Sequence, residues 1–170
     1  MAEPKSGGVK SALLILFRIV FTFFALYSVY FIFSNSLELA AASSARSGQI
    51  TAMLNKFLAA LDMPPLREAV VRKLAHFAEF AISGFWFTLC LRVYTRHYIR
   101  HISWPLFLGL LIANTDELIQ SFVPGRGPSV RDVWIDFGGV CAGVFAALLL
   151  LVLLSSFWYL LGFGSHKRMS

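Results

Sequence analysis

Two stretches carry most of the polar chemistry of this chain: KLAHFAEF at 73–80 and DELIQSFVPGRGPSVRDVWID at 116–136. On a helix, His76 and Glu79 are three residues apart, a spacing at which a carboxylate can orient an imidazole for general-base work. Asp116 and Glu117 add two adjacent carboxylates, so His76, Glu79, Asp116 and Glu117 are the candidate catalytic groups. Lys73, Arg126 and Arg131, with Gln120 as a further donor, suit the binding of an anionic group through charge-assisted hydrogen bonds. Asp132 and Asp136, together with Asp116 and Glu117, are oxygen donors fit for a hard divalent cation such as magnesium or calcium. Zinc suits the set less, because His76 lacks a second histidine or cysteine partner.

Each feature also has a structural reading. His76 taken alone reads more readily as a satisfied structural histidine than as a base or ligand. Glu117 and Arg126 are expected in direct contact, and such an ion pair could simply hold a loop down. VPGRGP is a turn by composition. Arg131 beside Asp132 can mark a helix start, with Ser129 or Asp132 as its cap. The Gly139–Gly143 spacing is common in membrane helices.

The elements that must position these residues are membrane helices. The 170 residues are 58% hydrophobic and 14% charged, which fits a small polytopic membrane protein better than a soluble domain. The net charge of +6 does not point to nucleic acid, because the basic residues cluster at the ends of apolar runs and no nucleic-acid motif is present. Cys90 and Cys141 sit inside apolar runs and read as small buried residues.

Four runs approach or exceed the roughly 20 apolar residues a span requires: about 11–33, 73–93, 102–122 and 133–163. Between the first two, Ile50, Met53, Leu54, Phe57, Leu58 and Leu61 recur at helical spacing, so 48–62 reads as an amphipathic helix on the outer membrane surface or over the bundle. Pro64 and Pro65 stop it, and Pro65 can open the next helix. The expected fold is all-α: a polytopic membrane helical bundle with four transmembrane helices plus a short external amphipathic helix. Lys5, Lys10, Arg92, Arg96, Arg100, Lys167 and Arg168 flank one side, which makes both termini cytoplasmic. The polar residues then gather at the outer ends of the second, third and fourth spans. Asp116 and Gln120 share a face with Gly109 and Ala113, and Asp132 and Asp136 share one with Gly139 and Gly143.

The combined pattern of KLAHFAEF and DELIQSFVPGRGPSVRDVWIDFGG, with FSNS at 33–36, resembles the VanZ-like family of bacterial membrane proteins. The resemblance carries over Lys73, His76, Glu79, Asp116, Glu117, Gln120, Pro124, Gly125, Arg126, Asp132, Asp136 and Gly139. One departure is Asp136, where family members often have Asn. The resemblance implies a four-span membrane domain at 11–163, its specific motifs in 73–143, between cytoplasmic tails at 1–10 and 164–170. It also implies an association with low-level teicoplanin resistance, without supplying a reaction. The expectation is a multi-pass protein of the bacterial cytoplasmic membrane whose outward-facing charged site binds or modifies a lipid-linked envelope precursor or a polyprenyl phosphate, with a divalent cation as the candidate cofactor. The alternative is a non-catalytic protein whose charged cluster is a structural network shaping an envelope interaction surface.

Overall fold

The structure is a computed structural model that describes residues 6–161. Lys5, Lys167 and Arg168, the side chain of Lys10, and the tail expected at 164–170 lie outside the described residues. Those described form five helices and no strand: α1 (Ser6–Ser36), α2 (Ala40–Ala59), α3 (Glu68–Tyr94), α4 (Ser103–Ser121) and α5 (Val130–Leu160). Three helices are long and apolar enough to cross a membrane: α1 over Ser11–Ser36, α3 and α5. At 19 residues, with Asp116 and Glu117 in its last two turns, α4 is not among them.

The α3–α5 pair makes the most extensive interface, α1 packs on α3, and α4 packs on α5. Glycine lets α3 and α5 approach backbone to backbone. A Cβ built at Gly143 would stand 1.8 Å from the Ala81 carbonyl oxygen, and one at Gly139 would stand 2.3 Å from that of Phe77. From the other side, a Cβ at Gly84 would meet the Val140 carbonyl oxygen at 2.4 Å. Above and below this seam lies the core of Ile32, Phe80, Ala113, Val133, Val140 and Val144. Large apolar side chains such as Leu26, Phe107 and Phe145 point outward instead, as they do where the surroundings are hydrocarbon. Arg18 donates to the Val93 carbonyl oxygen at 3.1 Å and stacks over the Tyr94 ring, tying α1 to the far end of α3.

The interhelical segment departs from the expected 48–62 helix. α2 starts at Ala40, because AAASSAR favours helix although it carries no apolar period. Its buried stripe is Ser43, Ser47 and Thr51, whereas Ile50, Met53, Leu54 and Phe57 are exposed. Small hydroxyl side chains allow close approach to the bundle, and Thr51 satisfies its own hydroxyl on the Ser47 carbonyl oxygen at 2.8 Å. Pro65 does not open the next helix. It lies in an extended linker, α3 starts at Glu68, and Asn55 clasps both backbone groups of Leu66, at 2.8 and 3.1 Å. Cys141 is a further correction: it is exposed, because it falls on the face of α5 opposite the glycine seam.

Gly143→Val therefore forces α3 and α5 apart. It is expected to lower the thermal midpoint of the purified protein by the equivalent of at least roughly 1–3 kcal/mol, the usual cost of overpacking. Gly48→Ala, where a Cβ meets nothing within 4 Å, serves as a control and is expected to leave the midpoint unchanged or raise it.

Candidate functional site

One end of the bundle gathers the last turn of α1, the first turns of α3 and α5, the last turns of α4 and the 122–129 loop. Ser129 caps α5 by accepting from the Asp132 backbone N–H at 3.3 Å, so Ser129 rather than Asp132 is the cap. The backbone N–H of Ser129 in turn donates to Glu117 Oε2 at 2.7 Å, which fastens the loop to α4. Gly125 takes a positive φ of 81°, the left-handed turn that swings Arg126 back over the site.

Asp116 is wholly buried and holds two bonds: the Ser36 hydroxyl donates to Oδ1, and Gln120 Nε2 donates to Oδ2 at 2.7 Å. Lys73 pairs with Asp132 across α3 and α5. Arg126 and Glu117, expected in contact, do not pair. Arg126 instead donates to the Asn35 backbone oxygen at 3.2 Å, and Glu117 is engaged by Ser129. The loop returns as expected, but the chain's own backbone supplies both partners. Asn35 Nδ2 also donates to Glu79 Oε1 at 2.9 Å. Neither Asn35 nor Ser36 was counted as a site residue from sequence alone. FSNS was the signal, since it ends an apolar run with polar groups able to reach into the bundle.

A cavity of about 140 Å³ opens among these groups. Its lining combines Arg72, Lys73, His76 and Arg126 with Glu117, Gln120, Asp132 and Asp136. Arg72 is a further cation that the sequence reading left in a loop. Burial, then the nearby Arg72 charge, lowers the pKa of the Arg126 guanidinium from its ordinary value. An anion bound there would relieve both penalties. Arg131 is exposed and does not line the cavity.

Oxygens of Asp116, Glu117 and Asp136 lie within 4.8 Å of one another, and all three residues are buried. Asp132, grouped with them in the sequence reading, bonds to Lys73 instead. Asp136 is 2% exposed and has neither a hydrogen bond nor an ion pair among the described residues. Three carboxylates this close cannot all stay ionised without positive charge nearby, which a hard cation or the cavity's basic side chains can supply. His76 Nδ1 and Glu79 Oε2, three residues apart as expected, stand 4.0 Å from each other. Both atoms are buried without a hydrogen-bond partner.

The helices and this charged end define a membrane protein with a polar cavity at one pole of its bundle. A family model described as VanZ/LLP1 matches residues 11–154, and the chain belongs to that family. No curated protein and no solved structure matches it.

Removing a donor from buried Asp116 is expected to be costly. Ser36→Ala should lower stability by roughly 1.5–3 kcal/mol, the range for hydrogen bonds to charged groups. Arg131→Ala, at an exposed position, should change it by less than about 0.5 kcal/mol. Thermal unfolding of the two variants side by side checks both.

Proposed function

We propose that this protein is a four-span protein of the bacterial cytoplasmic membrane whose cavity opens outward and binds the anionic headgroup of a lipid-linked envelope molecule. Family membership is consistent with an envelope protein associated with glycopeptide resistance. In this reading α4 is the fourth span, both termini are cytoplasmic, and α2 lies in the outer interface. The exposed apolar face of α2 then rests on lipid while its Ser43, Ser47 and Thr51 stripe meets the bundle.

The observation that carries the proposal is the convergence of Arg72, Lys73 and His76 of α3 with Arg126 of the 122–129 loop on one cavity. Its volume is roughly ten times what one water needs, enough for a phosphate-sized group. Arg126 supplies a planar fork, Lys73 a mobile point charge, and Gln120 an amide in the lining. His76 is the group placed to move a proton at the bound molecule, with Glu79 to orient the imidazole once their 4.0 Å separation closes. Asp116, Glu117 and Asp136 are the groups that would hold a divalent cation, which would offset part of the negative charge of the carboxylates and the incoming headgroup.

A second reading has its own support. Asp116, Glu117, Asp132 and Lys73 are already bonded within the protein, as in a network that holds four helix ends together. Variants separate the two. If the cavity works on a ligand, His76→Ala, Glu117→Gln and Arg126→Lys keep normal membrane abundance yet abolish any effect on teicoplanin-type susceptibility in a susceptible bacterium. If the network is structural, susceptibility follows abundance in every variant. Variants that are abundant and as active as wild type overturn the cavity as the working part.

Orientation is checked independently. A reporter fused after Ser170 is expected to be active in the cytoplasm, and activity confined to the outer side would reverse the topology.

A further inference from the structure

Beside the charged cavity runs a groove between α1 and α3 that the cavity's chemistry does not use. Phe24, Tyr27, Phe31, Ile82 and Trp86 line it, and Glu79 stands in its wall. It encloses about 290 Å³. Its inner end is closed by the Phe24 and Trp86 rings, stacked with centroids 4.6 Å apart. Because α1 runs towards the charged pole and α3 runs away from it, Phe31 and Glu79 mark the end nearest the cavity. From Phe24 to Phe31 the groove spans roughly 10 Å of helix, at about 1.5 Å per residue.

We propose that this groove holds the headgroup-proximal part of the hydrocarbon chain of a polyprenyl phosphate whose phosphate occupies the charged cavity. The inference rests on the headgroup reading above and adds what the molecule's tail must be. Three observations support this occupant. First, the groove adjoins the site across one side-chain pair: Glu79 lines the groove, its carboxylate bonds to Asn35 Nδ2, and it stands 4.0 Å from His76, which lines the cavity. Second, the chemistry changes sharply along the path, from aromatic walls to a cavity bearing Arg72, Lys73 and Arg126, as an amphiphile with an apolar chain and a small anionic head requires. Third, the groove is a single slot between two helices beside a cavity of about 140 Å³, which matches one chain and one phosphate better than two chains or a bulky sugar head. Glu79 then sits at the junction, and its unpartnered Oε2 faces His76 at the point where the chain meets the phosphate.

The test uses the full-length protein in detergent and measures binding of farnesyl phosphate, inorganic phosphate and phosphatidic acid. Ile82→Trp fills the groove from an exposed position, and Tyr27→Ala widens it without adding bulk. Wild type is expected to bind farnesyl phosphate at least about tenfold more tightly than inorganic phosphate, because the chain adds apolar burial. Ile82→Trp should erase that preference and leave inorganic phosphate binding unchanged. Tyr27→Ala should reduce the preference several-fold. If both variants keep the wild-type preference, the groove does not hold the chain, although the headgroup reading survives. If phosphatidic acid binds as tightly as farnesyl phosphate, the single-chain assignment is overturned. If neither phosphate compound binds at all, the headgroup reading fails and this inference fails with it.

Discussion

The Ala81 carbonyl oxygen occupies the space that a side chain at position 143 would need. That close approach of α3 and α5 sets the geometry of the charged pole. It lets Lys73 of α3 bond to Asp132 of α5, and it brings His76 and Asp136 into the lining of one cavity. An ordinary side chain at 139 or 143 would hold the two backbones apart, and the short polar side chains above the seam would lose each other. In hydrocarbon, where no solvent stands in for a lost partner, that loss is severe.

The polar groups at this pole divide into two sets. Asp116, Glu117, Asp132 and Lys73 have partners within the protein, drawn from all four bundle helices and the 122–129 loop. Their bonds hold the helix ends in register. Among the described residues, Asp136, His76 Nδ1 and Glu79 Oε2 have no hydrogen-bond partner although each is largely buried. Polar atoms left in this way by an otherwise well-satisfied network call for a partner beyond the network, such as a water, an ion or a ligand. Together they border the cavity and its junction with the apolar groove, so the satisfied set frames the unsatisfied one.

The outer surface follows the opposite rule. Leu26, Phe107, Phe145 and many neighbours project away from the bundle, and the buried faces of α3 and α5 set glycine, alanine, serine and threonine among valine, leucine and phenylalanine. Apolar side chains gain little by packing together when the medium is itself apolar, so close packing of small residues and polar bonds must hold the helices. α2 obeys the same logic, with its hydroxyl stripe inward and its apolar face outward. Hydrophobic periodicity therefore reveals which face of α2 is apolar but misses where the helix starts and what it packs with, because the face that packs consists of residues that carry no apolar signal.

Composition pointed to a membrane protein and the lengths of its apolar runs to helices, and the spacing of KLAHFAEF and DELIQSFVPGRG showed which residues bear its polar chemistry. These properties are local: apolar run length sets a helix's fitness to cross a membrane, and three- or four-residue spacing sets its faces. Partner choice was not local. The sequence suggested Glu117 with Arg126, but the folded chain gives Glu117 the Ser129 backbone and Arg126 the Asn35 carbonyl oxygen. It also brings Arg72, Asn35 and Ser36 to the site, and leaves Arg131 outside it. Residues 91 positions apart meet only after the helix rotations and offsets are set, and the glycine seam and polar bonds set them. Charge and spacing identify which side chains need partners; only the packed backbone determines which partners lie within reach.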